Sequence, residues 1–204
     1  MGQWDTLPGK EVIERTVSNL QGHGFSVETV SSSKEAFKKI QELIPKGKEV
    51  MTGSSTTLNE IGFSEYLQSG THPWIDLHSK ISSENDEAKR SELRRKATAA
   101  EYFVASANAL TEDGCIVAAD MSGSRVGAFP FSAEHLVLVV SSQKITKDVP
   151  AAFERVREYV LPLESKRALE AYGMSSQTAK WVVLEREIVP GRVTVILVSE
   201  KLGF

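Results

Sequence analysis

The fold is organised around residues 106–127, which read SANALTEDGCIVAADMSGSRVG. The Asp-Gly pair at 113–114 is a strong signal for a tight turn, because glycine adopts a positive φ at no steric cost and Asp tolerates it better than most residues. The apolar residues 115–119 are then predicted to form the returning strand, which leaves Asp120 at its end. Residues 123–125 follow in a loop. The stretch therefore combines a turn, a strand and a polar loop.

Three acidic side chains lie in or beside this turn and strand: Glu112, Asp113 and Asp120. A carboxylate in a cleft can act as a general base or as a nucleophile, so Glu112 and Asp113 are candidate catalytic residues. Asp-Gly pairs are also ordinary hairpin turns, which gives Glu112 and Asp113 an equally good structural role. Both interpretations stay open at this point.

Length and composition indicate one domain over residues 1–204, long enough to bury a substantial core. Lys and Arg number 24 against 27 Asp and Glu, so the net charge of -3 creates no field that would attract nucleic acid. No run approaches the ~20 apolar residues that a membrane helix needs, and the first residues carry no export signal. We therefore expect a soluble, cytoplasmic protein that binds neither nucleic acid nor membrane.

Metal ligands and disulfide partners are scarce in this chain. The single cysteine, Cys115, lies in the predicted strand, so the chain can build neither a disulfide framework nor an all-cysteine metal site. The histidines His23, His72, His78 and His135 are scattered, and the spacing of His72 and His78 is not a recognised metal-binding pattern. The sequence thus predicts no metal site.

Strand and helix patterns alternate along the chain, which predicts an α/β fold with parallel strands in the middle of its sheet. Residues 136–140 form an unbroken apolar run, as is typical of a strand buried on both faces. Apolar spacings of three and four residues predict one long helix over 84–104, with its charged first half as a solvated face. The apolar segments 181–189 and 193–198 flank a Pro-Gly pair, which predicts a C-terminal β-hairpin.

Residues 52–57, TGSSTT, follow a short predicted strand and begin a predicted helix, with Thr57 and Glu60 as its capping pair. The N-terminus of a helix presents unpaired N–H groups and a positive dipole end, and hydroxyl groups add further donors. The segment is therefore suited to a phosphate or a carboxylate. It matches neither a Walker A sequence nor a dinucleotide-binding fingerprint, and its small residues serve equally well for capping alone.

Three loops are expected to meet at one edge of the sheet, because ligands of open parallel sheets lie beyond the carboxyl ends of the strands. These loops follow Thr52, Ala119 and Val140. The guanidinium of Arg125 can bind a carboxylate through bidentate hydrogen bonds, and Lys144 can act as a point charge. The alternative is that Asp120 and Arg125 only form a salt-bridged loop. The predicted ligand-binding residues are Thr52, Gly53, Ser54, Ser55, Thr56, Thr57, Asp120, Gly123, Arg125 and Lys144.

Four segments of the chain carry a family resemblance: TGSSTTLNEIG (52–62), SANALTEDG (106–114), GSRVGA (123–128) and GRVTVILVSEKLGF (191–204). In this order they resemble the LUD-domain family, the lactate utilization proteins of the LutC/YkgG type. The resemblance extends from about Pro8 to Phe204.

The resemblance implies a Rossmann-like fold of the NagB/RpiA/CoA-transferase-like group, whose sheets bind sugar phosphates or CoA thioesters. It also implies iron–sulfur oxidoreductase partner proteins that take part in oxidising lactate to pyruvate. Some relatives carry a cysteine-rich segment before the last strands, but residues 168–180 contain no cysteine. We therefore expect no iron–sulfur cluster and no zinc in this chain, and no other cofactor is identified.

The sequence as a whole predicts a protein of the lactate utilization type that binds a small anionic metabolite at the carboxyl ends of its strands. A hydroxy acid, a sugar phosphate or a CoA ester would fit. One alternative is an isomerase or an acyl-CoA-transferase-like enzyme that uses Glu112 or Asp113, argued by analogy of fold. The other is a non-catalytic subunit of a lactate-oxidising complex. The reaction and the oligomeric state stay open.

Overall fold

Ten strands build two sheets in the computed structural model, which describes residues 3–204. The central sheet has six strands, every neighbouring pair is parallel, and the order is first, tenth, seventh, fourth, second and third along the chain. The predicted α/β fold with a mostly parallel sheet is therefore confirmed. The strands are β1 (Ser26–Val30), β2 (Glu49–Thr52), β3 (Ile75–Asp76), β4 (Tyr102–Ala105), β5 (Ala109–Thr111), β6 (Ile116–Asp120), β7 (His135–Ser141), β8 (Ile145–Thr146), β9 (Lys180–Leu184) and β10 (Val193–Val198).

Helices cover both faces of the central sheet. A π-helical turn over Val156–Val160 joins the last two helices into one continuous run. Within residues 3–204, no helix is both long enough and apolar enough to cross a membrane. The helices are α1 (Lys10–Gly22), α2 (Ser33–Leu43), α3 (Thr56–Glu60), α4 (Phe63–Gln68), α5 (Leu77–Ser82), α6 (Glu87–Lys96), α7 (Val149–Arg155) and α8 (Leu161–Tyr172).

Strand β7 shows why an unbroken apolar run forms the centre of this fold. Leu136, Leu138 and Val140 belong to the core that also contains residues of α1 and of the second sheet. Val137 and Val139 point the other way, into the core that contains residues of α2, α3 and α4. Because successive side chains of a strand alternate between faces, a strand buried on both sides needs apolar residues at every position.

The second sheet has the order β8-β5-β6-β9 and contains the two strands of residues 106–127. Strands β5 and β6 form the predicted antiparallel hairpin, whose turn contains Gly114 at a φ of 94°. Leu110, Ile116 and Leu184 of this sheet pack into the same core as Leu136 of the central sheet. We infer from this shared core that the two sheets fold together as one domain.

The two C-terminal strands are present, but they do not form the predicted hairpin. Strand β9 is antiparallel to β6, with Leu184 opposite Ile116, whereas β10 lies between β1 and β7 in the central sheet. Five of the six residues in β10 are buried, which suits the interior of a parallel sheet better than an edge hairpin. The Pro-Gly signal at 190–191 therefore marks a real turn, and the inferred pairing across that turn is wrong.

The predicted helix over 84–104 is shorter than its apolar spacing suggests. Helix α6 ends at Lys96, a 3₁₀ turn occupies Ala97–Ala99, and Val104 lies in β4. Tyr102–Ala105 instead pairs with β2 on one side and with β7 on the other, where Val104 is fully buried. Burial in the middle of the sheet outweighs the helical spacing of these small apolar residues.

Replacing Gly114 by Ala is expected to lower the free energy of unfolding by about 2–4 kcal/mol. A methyl group there would lie 2.8 Å from the backbone carbon of Asn19 in α1, in addition to the penalty of a left-handed φ. Gly173→Ala is the matched control, because Gly173 has a φ of 70° and nothing within 4 Å of its missing methyl group. Urea unfolding should show a loss of only about 1 kcal/mol for the control. Equal losses in both variants would contradict this account.

Candidate functional site

A cavity of about 640 Å³ lies where several polar loops meet. Residues 52–57 lie at and after the carboxyl end of β2, and residues 106–108 follow β4. The end of β6 and the loop after it contribute residues 119–122, 124 and 125. Lys144 comes from the 3₁₀ turn after β7. Helices α6 and α8 supply the remaining charged walls. The structure thus brings together Thr52, Gly53, Ser54, Ser55, Thr56, Thr57, Asp120, Arg125 and Lys144.

Gly123 is the one predicted ligand-binding residue that does not line this cavity. It lines a smaller pocket together with Arg94 and Arg95. Its φ is 88°, and a methyl group there would come within 2.5 Å of the Lys180 side chain. Gly123 therefore has a structural role in the loop after β6.

The loop at 52–57 is built differently from the prediction. The residue that caps α3 is Ser55, whose hydroxyl accepts from the Leu58 amide at 3.3 Å, and not Thr57. Helix α3 contains only five residues, so few peptide dipoles add up at its N-terminus. Glu60 accepts from the Gly203 amide at 2.6 Å and closes no capping box. The loop therefore contributes hydroxyl groups rather than a strong helix dipole.

Lys144 is the most unusual group in the cavity wall. The residue is only 2% exposed, and its Nζ donates to Thr57 Oγ1 at 2.9 Å and to Ser106 Oγ at 3.2 Å. Burial lowers the pKa of Lys144 to about 7, with the positive charges of Arg155 and Arg125 acting in the same direction. Gly203 helps to enclose the amine, because a methyl group at that position would lie 3.2 Å from Nζ.

Arg125 lines the cavity, but its guanidinium is already engaged. It donates to the carbonyl oxygens of Ser106 at 2.7 Å and Ala119 at 2.6 Å, and to Asn108 Oδ1 at 3.2 Å. Burial lowers the pKa of Arg125, although the charge of Asp120 opposes this effect. Arg125 can therefore attract an anionic ligand through its positive charge. Its N–H groups are not free for the predicted bidentate hydrogen bonds to a carboxylate.

The carboxylate of Asp120 builds the loop that follows β6. It accepts from the amides of Gly123, Arg125 at 3.3 Å and Val126 at 3.1 Å. No ion pair within 4.0 Å joins Asp120 to the Arg125 guanidinium in the described chain. The alternative of a simple salt-bridged loop is therefore wrong, and Asp120 holds backbone amides instead.

The structure does not bring Glu112 and Asp113 to the cavity. Glu112 pairs with Arg15 of α1, with 3.1 Å between Arg15 Nε and the carboxylate, and Asp113 accepts from the Thr111 hydroxyl. Both residues lie in the turn between β5 and β6. Glu112 fixes the hairpin against the first helix, where its carbonyl oxygen also accepts from Asn19, whereas the hydrogen bond of Asp113 lies within the hairpin. Their placement corresponds to the structural interpretation of the Asp-Gly turn.

Sequence reasoning missed the charged residues that helices α6 and α8 place around the cavity. Arg90 and Arg94 lie one helical turn apart and both line it, although the charged run of α6 predicts a solvated face. Arg94 donates to Ser124 Oγ at 3.3 Å. On α8, Arg167 pairs with Glu164 through two hydrogen bonds of 2.8 and 2.6 Å. The available sequence signal was the i,i+4 spacing of Arg90 and Arg94, which places both on the same face of a helix.

Arg155 of α7 is a second missed residue, and it is fully buried. Its Nη1 donates to the Asn108 carbonyl oxygen at 2.7 Å, while Nε and Nη2 have no partner within the described residues. The guanidinium carbon lies 5.3 Å from the centre of the Tyr159 ring. Burial lowers the pKa of Arg155 to about 10. A buried cation without a carboxylate partner is costly, and here it raises the positive charge next to Lys144.

Metal-binding groups do not cluster anywhere in residues 3–204, since no three His, Cys, Asp or Glu side chains are placed to share an ion. Cys115 is free and buried. Burial raises the pKa of its thiol, and the neighbouring Thr111 hydroxyl opposes this effect. Its environment is that of a small apolar side chain rather than of a reactive thiolate.

The fold and the cavity together define an α/β protein with a positively charged crevice at the carboxyl ends of its strands. The family model of the LUD domain matches residues 13–198, so the chain belongs to the LUD domain family. A crystal structure of a DUF162 family protein from Deinococcus radiodurans is similar in fold, with a TM-score of 0.57 and 13% sequence identity. The match covers 95% of this chain and 100% of that one. A comparison with curated proteins finds no match.

Proposed function

We propose that this protein binds a small anionic metabolite, namely a hydroxy acid, a sugar phosphate or a CoA ester, in the cavity at the carboxyl ends of its strands. The observation that supports the proposal is an imbalance of charge. The lining includes the cations Arg90, Arg94, Arg125 and Arg167 together with the amine of Lys144, whereas its side-chain carboxylates are Asp120 and Glu164.

Both carboxylates are already satisfied within the protein. Asp120 accepts from backbone amides, and Glu164 is paired with Arg167. Arg90, Arg94 and Lys144 have no carboxylate within 4.0 Å in the part of the chain that the structure describes. An anionic ligand would supply the missing negative charge and accept hydrogen bonds from these donors.

Membership of the LUD domain family indicates a role related to lactate utilization. Within that family we propose the LutC/YkgG type and a NagB/RpiA/CoA-transferase-like ancestry, on the strength of the four motifs in the sequence. Iron–sulfur oxidoreductase partners stay a prediction from the same resemblance, and a cytoplasmic location stays a prediction from the sequence.

The cavity favours ligand binding over the two alternatives. An isomerase or acyl-CoA transferase that depends on Glu112 or Asp113 would need those carboxylates at the ligand, and neither lines the cavity. A purely structural subunit would need no cavity of this size with unpaired cations in its wall. Any catalysis in this cavity would therefore use other residues.

The proposal is tested by titrating the purified protein with lactate, pyruvate, sugar phosphates and CoA esters in a calorimeter. Binding should also raise the unfolding temperature, because a ligand that binds only the folded state stabilises it by mass action. Absence of both heat and thermal stabilisation with every one of these anions would reject the proposed function.

Replacing Arg94 by Ala is expected to raise the dissociation constant of the best-binding anion about five- to tenfold. The expected loss is below the full value of a charged hydrogen bond, because Arg94 is exposed and partly screened by solvent. Arg186→Ala is the matched control, since Arg186 is exposed and does not line the cavity. Calorimetric titrations of both variants should separate them. An equal loss of affinity in the two variants would show that the effect is only one of net charge.

A further inference from the structure

The environment of Lys144 fits an uncharged amine better than an ammonium group. An uncharged amine has two N–H bonds and one lone pair, and the two N–H bonds are matched by the hydroxyls of Thr57 and Ser106. An ammonium group would have a third N–H bond, for which the described residues offer no acceptor within hydrogen-bond distance. The amine is also nearly free of solvent and has no carboxylate partner within the described residues.

Two of the three charged groups that act on Lys144 also favour the uncharged amine. Arg125 and Arg155 repel a positive charge on its amine, and the only opposing group among its described charged neighbours is Glu60. Desolvation next to other cations is one of the ways in which proteins turn a lysine into a nucleophile at neutral pH. Lys144 also lines the cavity, so a ligand bound there would lie beside it.

We infer that Lys144 is a catalytic amine that condenses with the carbonyl group of a small 2-oxo acid bound in this cavity. The inference rests on the proposed binding of a small anion and adds a further ligand class to those named above, an anion that also carries a carbonyl group. The carboxylate of a 2-oxo acid fits the positive charge of the cavity, and the carbonyl carbon is the electrophile that an uncharged amine attacks. Neither lactate nor a simple phosphate offers such a carbon.

The step needs no reagent beyond the protein and the 2-oxo acid. The lone pair of Nζ forms a bond to the carbonyl carbon, and the carbon–oxygen double bond opens onto the oxygen. The amine then loses its two protons, and the former carbonyl oxygen takes both of them and leaves as water. The product is an imine that links Lys144 to the acid. The hydroxyls of Thr57 and Ser106, which touch Nζ, are positioned to carry these protons.

Reductive trapping tests the inference directly. The protein is incubated with pyruvate and sodium cyanoborohydride at pH 7, and the modified peptides are located by mass spectrometry after digestion. Cyanoborohydride donates a hydride to the imine and converts it to a stable secondary amine. At this pH an ordinary exposed lysine is uncharged in roughly one molecule in a thousand. We therefore expect labelling of Lys144 to exceed that of exposed Lys147 by at least about a hundredfold.

Three comparisons make the outcome specific. Lys144→Met keeps the length of the side chain but lacks the amine and should lose the label, whereas Lys147→Met should keep it at Lys144. Acetone, which has the carbonyl group without the carboxylate, should label Lys144 at least about tenfold less than pyruvate does. Labelling of Lys144 no stronger than that of Lys147, or equal labelling by acetone and pyruvate, would overturn the inference.

The same samples distinguish this inference from the proposed function on which it rests. If pyruvate binds in the calorimeter but forms no adduct at Lys144, the proposed imine is wrong, whereas the proposed binding of an anion is still supported. If no anion bound at all, the proposed function would fail as well.

Discussion

Replacing Lys144 by Met is expected to raise the free energy of unfolding at pH 7 by about 3 kcal/mol, which is an unusual result for the loss of a buried side chain. The wild-type amine is held at a pKa of about 7 in the folded protein, against 10.5 for an ordinary lysine. Folding therefore requires an amine that is charged in the unfolded chain to give up its proton or to remain charged in a buried site. Methionine has a similar length and carries no such penalty.

The pH dependence of this effect has a definite sign. Between pH 7 and pH 10.5 the unfolded chain holds more protons at Lys144 than the folded protein does, so this residue makes stability rise with pH across that window. Below pH 7 both states are protonated and the penalty is largest. The Met variant lacks this dependence. Its advantage over the wild type should therefore shrink as the pH is raised from 7 towards 10.

Urea unfolding of the wild type and the Met variant at intervals from pH 6 to pH 9.5 measures the difference. Lys147→Met serves as the control, because Lys147 is exposed and its replacement should leave the pH dependence unchanged. If the advantage of Lys144→Met stays constant with pH, or if that variant is less stable than the wild type, the amine is not held uncharged. A cost in stability at a binding site is a common trade-off with function.

The strands of the central sheet could be predicted because each is marked by a pattern of neighbouring residues in the sequence. Residues 136–140 are apolar at every position, and only a strand covered on both faces needs that pattern. The alternation of strands with helices then implies parallel neighbours. The partner of each strand is set by burial over long distances in the chain, which local patterns do not report. For that reason the strands at 180–184 and 193–198 could be found, while their pairing could not.

The cavity was predictable to the extent that it depends on the carboxyl ends of parallel strands. That rule places the loop at 52–57 and Lys144 together, and both line the cavity. Arg125 lines it as well, but it follows β6, which lies in the second sheet and is antiparallel to its neighbours, so the rule does not account for its position. Helix α6 could not be placed by the same rule, because the orientation of a charged helix face depends on what it packs against. Sequence alone therefore makes Arg90 and Arg94 look like solvated residues, and only the fold turns them towards the cavity.

The acidic turn at 112–113 shows the limit of composition as a guide to function. Its carboxylates lie close in sequence to Asp120, but strand β6 separates them, so the two ends of one strand face different environments. A five-residue strand spans roughly 17 Å, which is enough to remove Glu112 from a cavity that begins at the other end of β6. Identifying the turn correctly does not decide which end of the strand carries the site.

Replacing Asp120 by Ala is expected to lower the free energy of unfolding by about 2–3 kcal/mol and to weaken anion binding. The carboxylate accepts from the amides of Gly123, Arg125 and Val126, and hydrogen bonds to a charged acceptor are worth more than neutral ones. The amides lie on a partly exposed loop, so water would replace some of these bonds, and the expected loss is smaller accordingly. The loop would no longer be fixed, and it carries Arg125 into the cavity wall.

Asp120→Asn separates the shape of this acceptor from its charge. The amide oxygen of Asn can still accept from one or two of the amides, so a loss of about 1 kcal/mol is expected, with most of the anion binding retained. Removing the negative charge also leaves Arg125 without one of the two carboxylates, Asp120 and Glu164, that favour its charged form. Urea unfolding and calorimetric titration of both variants provide the two readouts. If the Ala variant unfolds within about 0.5 kcal/mol of the wild type, Asp120 does not hold the loop. If the Asn variant loses anion binding as completely as the Ala variant, binding depends on the negative charge of Asp120. Asp120 would then do more for binding than position the three backbone amides.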